Sequence, residues 1–592
     1  MNVTHINGEN AIVKQVSHAV AFILVNERKD FATFYGNEES RYEGFFVAHN
    51  DTFLKTVARI TRAKPVEGIE LYQGVPVATR YLQGGATEIY ATVKNEPVLI
   101  YEALKKDTIT VRLDMRDQFY IPKWGRNYCA YEEDDIVIVR YSDDCITEPV
   151  YLAIAHDGSF ALRGEWIPVN YGRDRERNSE PAELYEYVLG NFDASKLTIA
   201  FGLSVEEALE RARKCREISG AKAVSKKRMR PKQMNGKVDV VAKNLARNYA
   251  VDALDALFID NRMLAGMPWF TKAWVRDELI SAPALPKERA HAVASKHVRA
   301  TWGGQLPVIF GGANNCSDGL GLLAWAIMSG RIGLTEEEKD MLAERIKCAI
   351  AELELVENEF GFIPSGPRES WMDSIERVGY PVETQTLYVR TLHLAQLLVH
   401  EENERFEAKK KALIENVRKH YFIDGYLHDR LYDETMRPNL FLAAFFAPEI
   451  LSKDEWESCF DKVLPALWLE WGGLASVDTR HECYCNTSAG EHDTSYHNGD
   501  SWFFVNNIAA LVMHNINEAR YAEYIDGILD ASTNEILWHN YAGCPGEISS
   551  AKALESWGCG LQGFSAAAYV YLADHVPLKR RALRTLFARS AK

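Results

Sequence analysis

Several kinds of protein are excluded by what these 592 residues lack. No apolar run reaches the length needed to cross a bilayer. The opening Met-Asn-Val-Thr-His-Ile-Asn-Gly has no basic region followed by an apolar stretch, so no secretory signal is expected. The ten cysteines are scattered without the spacing of a disulfide framework, which fits a reducing cytoplasm. Sequons at Asn2 and Asn486 then carry no meaning. A basic excess is missing too: the net charge of −15 argues against nucleic acid or an anionic membrane as the main partner. No Walker signature is present, and no nucleotide cofactor is expected. Without a fixed sequence repeat, an open helical solenoid is disfavoured. A soluble cytoplasmic protein is expected.

What is present is ample core material, 47% hydrophobic and 26% charged, in a chain long enough for two or three domains. Residues 10 to about 200 hold short alternating or apolar runs rich in β-branched residues, such as Ala19-Val-Ala-Phe-Ile-Leu-Val and Asp135-Ile-Val-Ile-Val-Arg. Gly, Asn and Asp turns separate them, the pattern of an antiparallel β-sandwich. One helix is expected over 205–218. The polar, basic run Lys222-Ala-Val-Ser-Lys-Lys-Arg-Met-Arg-Pro-Lys reads as a solvated linker. The period then becomes helical. Segments are expected near 238–261, 285–302, 318–330, 335–357, 382–400, 402–420, 438–447, 452–467, 500–515, 517–530, 562–574 and 577–589. Thr335 ahead of Glu336-Glu-Glu and Ser452 ahead of Asp454-Glu455 mark two of the starts. Twelve helices suggest six hairpins closed into a ring. The expected organisation is multidomain α and β: a β-sandwich over 1–220, a linker over 221–237 and an (α/α)6 barrel over 238–592.

Four loop segments carry chemistry-bearing residues, and in a helical toroid the chemistry lies where loops converge at one end. The first is Gly266-Met-Pro-Trp269-Phe-Thr-Lys272-Ala-Trp274-Val-Arg276-Asp277. An Arg–Asp pair beside tryptophans can fork hydrogen bonds to neighbouring hydroxyls while the aromatics stack on a ring face; the same pair could be a structural ion pair at a helix start. The second is Pro364-Ser-Gly-Pro-Arg368-Glu369-Ser-Trp371-Met-Asp373, followed by Gly379-Tyr-Pro-Val-Glu383. Asp373 stands in an apolar, tryptophan-flanked setting that desolvates an acid, or caps a helix. The third is Asp493-Thr-Ser-Tyr496-His497-Asn498-Gly499-Asp500-Ser501-Trp502. The fourth is Gly543-Cys-Pro-Gly-Glu547-Ile-Ser, leading to Trp557-Gly-Cys559-Gly-Leu-Gln562-Gly-Phe-Ser565. His481, Cys483, Cys485 and His492 fit no zinc spacing, so no metal is expected.

As an ordered set, these motifs resemble the amylo-α-1,6-glucosidase domain of glycogen debranching enzymes, within the (α/α)6 glycosidases that include glucoamylases. The resemblance spans roughly residues 260–575. It implies Asp373 as general acid and Glu547 as general base, with Glu555 a rival for the base. It also implies Arg276 and Asp277 as holding the non-reducing glucose, with Trp269, Trp274, Trp371, Glu383, His497, Trp502 and Gln562 around the pocket and Asp318 near the sugar. Val275 stands where the family has glycine, and Phe564-Ser565 where it has Trp-Ser.

The resemblance further implies inversion at the anomeric carbon, which needs carboxyls about 6.5–9.5 Å apart to admit a water. Glycoside hydrolysis uses such a pair, one carboxyl to protonate the leaving oxygen and one to activate the water. The mostly β first part leaves no room for a β/α-barrel transferase of about 250 residues. The expected protein is therefore a stand-alone exo-acting α-glucosidase trimming α-1,6 stubs of an α-glucan, without cofactor, nucleic acid or membrane partner. A glucoamylase-like α-1,4-glucosidase, a trehalase, an inverting phosphorylase and a catalytically silent glycan-binding protein are the alternatives, with Glu547 speaking against the phosphorylase.

Overall fold

The computed structural model describes residues 1–576 apart from 9, 37–39, 63, 122–123, 145, 147, 225–230, 235–237, 302–305 and 491. The first part is a β-sandwich built around two 20-residue strands, Val98–Asp117 and Glu183–Gly202, which pair antiparallel along most of their length. Register shifts at Glu102/Asp107 and Val111/Arg112 let each strand change neighbours part-way. Val98–Asp117 pairs first with Ala86–Thr92 and then with Thr52–Thr61. Bulges of this kind bend a strand and let it pass from one sheet to the other. The pairing is antiparallel except where Asn2–Asn7 meets Val66–Tyr72 and Lys232–Gln233 meets Asn10–Gln15. The expected helix, Val205–Cys215, is capped by Ser204 and ends three residues short of 218, and a five-residue helix, Gly172–Glu176, lies before the second long strand.

The stretch expected as linker is partly structured. Gly220–Val224 forms a short helix, and Lys232–Gln233 remains a strand on the sheet edge. Most of the basic run, 225–230, lies outside the described residues.

Among the described residues, twelve helices of seven residues or more follow. We label them α1 Val240–Leu257, α2 Val275–Ser281, α3 Lys287–Ala300, α4 Gly319–Met328, α5 Glu336–Glu354, α6 Val382–Leu398, α7 Asn403–Tyr421, α8 Asn439–Phe446 and α9 Lys453–Leu467. The continuous segment Phe503–Trp538 breaks at Asn517 (φ −160°) into α10, 503–516, and α11, 518–538; α12 is Gly563–His575. The even-numbered helices α2, α4, α6, α8, α10 and α12 contact one another in that order, and α12 returns to α2. That closed inner ring, flanked by α1, α3, α5, α7, α9 and α11, is an (α/α)6 barrel. The inner helices are buried nearly all round: every residue of α2, its three charged ones included, and almost all of the apolar α8 and α12 are out of solvent. A helix that is hydrophobic on all sides belongs inside. The outer helices carry one wet face, and both expected starts at Thr335 and Ser452 form full capping boxes.

Helix α2 was not among the expected segments, and 577–589 lies outside the described residues. The other segments correspond, with α11 running to Trp538 rather than 530. The sandwich is fastened to the barrel by buried contacts. His5 Nδ1 lies 3.0 Å from the Tyr249 hydroxyl, and Tyr35 donates its hydroxyl to Asn540 Oδ1 at 2.9 Å. Ala21 also bridges Tyr541 in strand fashion. Among the described residues no helix is long and apolar enough to cross a membrane.

Candidate active site

The inner helices begin at one end of the barrel, and their first residues are the polar ones. Arg276 and Asp277 open α2, Asp318 caps α4, Glu383 opens α6, Asn439 opens α8, Trp502 precedes α10 and Gln562 precedes α12. Unpaired backbone N–H groups at a helix start favour acceptors and negative charge there. The same end therefore suits a carboxylate cluster and a hydroxyl-rich ligand.

These residues surround a cavity of about 770 Å³. Trp274, Arg276, Asp277, Trp371, Asp373, Trp502, Glu547 and Gln562 line it, as do Phe270, Phe504, Phe564 and Tyr496. Trp269 lines an adjoining chamber of about 430 Å³ instead, which shares Trp274, Tyr496 and Glu547 with the first. Asp318 and Glu383 sit behind the wall. Asp318 lies 3.8 Å from the Arg276 guanidinium, and Glu383 is locked to Arg377, which also grips Asp429 and Ser370. Glu383 thus braces the segment that presents Asp373 instead of facing the cavity. His497 is likewise fully buried, stacked on Trp502 with ring centroids 4.7 Å apart. Glu555 is exposed outside the cavity, while Glu547 is 3% exposed within it.

Asp373 is paired with Arg276 at 2.5 Å and lies 3.7 Å from His497 Nε2, beyond hydrogen-bond reach. Burial pushes its carboxyl up, but the Arg276 guanidinium, together with His497 and the backbone N–H of Asp373, holds it below the ordinary carboxylate range. Its side chain keeps 32% exposure, which further favours the charge. Burial drives His497 down to about 4, so the imidazole is neutral. Glu547 is the opposite case: burial pushes it up to about 7, although Tyr496 donates its hydroxyl at 2.5 Å and the Cys559 N–H donates at 2.9 Å. Asp277 is raised to about 7 by burial while accepting from Gln562 Nε2 at 2.7 Å, and burial raises Asp318 to about 6. The protein without substrate thus carries an ionised Asp373, and Glu547 takes up a proton as pH falls through about 7. The order of the two is opposite to that expected for an acid at 373 and a base at 547.

Tyr496 was visible in the sequence beside His497 but had no role; its hydroxyl on Glu547 gives it one. Arg177, which lines the adjoining chamber from the sandwich, had no local signal. Gly558-Cys-Gly-Leu-Gln-Gly563 has GxGxxG spacing, the feature most easily read as a dinucleotide loop. Its setting argues otherwise: Leu561–Gln562 pairs with Gly266–Met267 and leads into an α/α ring, with no βαβ unit around it among the described residues. A Cβ at Gly558 would meet Glu547 Oε2 at 2.5 Å, and one at Gly560 would meet the Tyr541 ring at 1.8 Å. These glycines let the loop pack around Glu547.

Residues 353–571 match the family model described as amylo-alpha-1,6-glucosidase, a span that contains both Asp373 and Glu547. The chain matches no protein of the curated set. Solved structures similar to it include the GH63 mannosylglycerate hydrolase from Thermus thermophilus in complex with Tris. It is 13% identical, covers 56% of this chain and 99% of that chain, and gives a TM-score of 0.43. Another is a glycosidase variant in complex with glucose, 14% identical over 57% of this chain and 97% of that chain, TM-score 0.43. Over residues 353–571 the chain is similar to the amylo-alpha-1,6-glucosidase domain, which marks it as a glycoside hydrolase.

Proposed function

We propose that the protein is an inverting, exo-acting α-glucosidase that removes single glucose units from α-1,6 branch stubs of an α-glucan. The observation that carries this reading is the pairing of Asp373 and Glu547 in one cavity whose wall includes Arg276, Asp277 and Gln562. Arg276 and Asp277 would bind glucose hydroxyls through charge-assisted hydrogen bonds, with Trp274 and Trp371 offering ring faces. Asp373 protonates the glycosidic oxygen as the C1–O bond breaks. Water attacks C1 from the other face and gives its proton to Glu547, leaving β-glucose. Each role is worth roughly 10²–10⁴-fold in rate.

This assignment requires substrate to redistribute the proton. Sugar hydroxyls that engage Arg276 weaken its hold on Asp373, and burial then favours the acid form. The ligand-free proton positions favour a second reading, with Glu547 as acid and Asp373 as base. Two variants separate the readings. The acid is dispensable for α-glucosyl fluoride, whose leaving group needs no proton. A variant lacking the base is rescued by azide, which attacks without deprotonation and gives β-glucosyl azide. Fluoride turnover by Asp373→Asn, with azide rescue of Glu547→Ala, supports the first reading; the converse supports the second.

The reaction itself is tested by proton NMR on a phosphorylase limit dextrin, with panose and maltotriose in parallel. β-Glucose appearing first, with loss of 1,6-linkage signals, is the expected result. Cleavage of 1,4 linkages alone makes the protein a glucoamylase-like enzyme using the same residues, and release of no glucose from any of them removes the α-glucosidase reading. The nine described cysteines are all unpaired, which supports a cytoplasmic location.

A further inference from the structure

The sandwich exposes aromatic rings where its sheets end. Among the described residues, the strand Asn127–Glu133 pairs only with Ile136–Ser142, and Ser159–Asn170 pairs only with Glu183–Gly202, so each is a sheet edge. Side chains meet between the two edges. Tyr128 stacks on Tyr187 with centroids 4.4 Å apart, and Trp166, opposite Tyr187 in register, lies 5.5 and 5.4 Å from them. Arg126 lies over Trp166 at 4.5 Å from its centroid and donates to the Tyr185 carbonyl at 2.8 Å. Asp114, at 2.8 Å, balances its charge.

Tyr187 is buried by this packing, yet Trp166 stays 40% exposed, Tyr185 58%, and Trp124, two residues before Arg126, 85%. Tyr185 pairs with Pro168, two residues past Trp166, so the Tyr185 and Trp166 rings stand on one face. The core accounts for Tyr187 and part of Trp166; it does not account for a tyrosine and a tryptophan held in water. A second copy of the chain is a poor cover for them. The edge strand is shifted in register between Leu162 and Glu165, around Gly164 (φ +67°), carries Arg163 and Glu165, and has Pro168, which lacks an N–H. Such features block strand-to-strand pairing. Rings with N–H or O–H edges around a balanced cation suit a neutral ligand with apolar faces and many hydroxyls, which is a sugar chain. The position fits as well. Gln118, eight positions before Arg126, accepts from the Thr271 hydroxyl at 2.9 Å and donates to the Pro268 carbonyl. It thereby grips the barrel loop that supplies Trp274, Arg276 and Asp277 to the catalytic cavity, no more than roughly 30 Å of chain from Arg126.

We propose that Trp124, Trp166 and Tyr185 form a surface site for the body of an α-glucan, separate from the catalytic cavity, which keeps the polymer on the protein while its ends are trimmed. The choice of an α-glucan rests on the α-glucosidase reading; the surface itself does not. Trp124 and Tyr185 are the rings to change, because they are the most exposed and their loss spares the core.

The probe is β-cyclodextrin, a closed ring of α-1,4-linked glucose that offers no chain end to an exo-acting cavity. In isothermal titration calorimetry the wild-type protein should bind it, and excess glucose should not displace it. Trp124→Ala combined with Tyr185→Ala should weaken that binding about tenfold, through loss of two aromatic contacts. The same pair should raise KM for limit dextrin and leave panose turnover unchanged. Absence of binding, or equal binding by wild type and variant, overturns the proposal, as does an equal rise in KM on both substrates. A wild-type dimer that the two substitutions dissociate also overturns it, and makes the face an interface between copies. If the wild-type protein binds β-cyclodextrin through these rings yet releases no glucose from any α-glucan, the α-glucosidase reading fails and the surface stands.

Discussion

Arg276 reaches Asp373 with a guanidinium nitrogen 2.5 Å from Oδ2, and the same side chain lies 3.8 Å from Asp318. One cation at the start of α2 therefore balances two carboxyls, Asp318 at the start of α4 and Asp373 in the loop that precedes α6. Replacing it with neutral Arg276→Gln leaves burial unopposed at Asp373. The acid limb of kcat/KM should move upward, with a loss of about tenfold or more at neutral pH. An acid limb in its original place would show that Arg276 does not set the charge of Asp373.

The free protein should be active only while the two carboxyls share one proton, whichever of them is the acid. Because Glu547 titrates near 7, kcat/KM should fall as pH rises through about 7. Its lower limb should lie below the ordinary aspartate range. Residual turnover in Glu547→Gln should lack the upper limb, and a limb that persists there belongs to another group.

Tyr496 stabilises the ionised form of Glu547 by donating to it, against the effect of burial. Tyr496→Phe removes one hydrogen bond to a charged group, so the upper limb should shift above 7 and the rate at neutral pH should fall about tenfold. A downward shift would contradict the donor role.

Glu535 offers a stability test away from the sugar. Its carboxyl is buried at the end of α11, accepts from the Gly546 N–H at 3.0 and 3.1 Å, and is raised by burial to about 8. In the unfolded chain it ionises near 4.5, so from there to about 8 the folded state holds the extra proton and stability falls as pH rises. The slope approaches about 1.4 kcal/mol per pH unit. Glu535→Gln cannot ionise, and its thermal midpoint should decline less between pH 5 and 8 than that of the wild type. Parallel declines would mean that Glu535 is already ionised in the folded protein.

Much of the barrel was readable because its outer helices announce themselves by one-sided patterning and by caps such as Thr335 and Ser452. Inner helix α2 was not. It has seven residues, and three of them, Arg276, Asp277 and Glu278, are buried charges that mimic a loop. Trp274, Arg276, Asp277, Trp371, Trp502 and Gln562 were legible through their motifs and do line the cavity. Glu383 and His497 came with the same motifs, yet the fold uses them as braces, since sequence order cannot tell a wall from its backing. The proton positions were legible least. They depend on Arg276 meeting Asp373 across a separation of 97 positions, a distance set only by ring closure.

That closure also orders events in time. The hydrogen bond from Gln562 to Asp277 joins the last inner helix to the first across 285 positions. A chain leaving the ribosome can form the sandwich and most helical hairpins as it appears, yet it holds an open arc until α12 arrives. The cavity is therefore complete only once α12 has closed on α2.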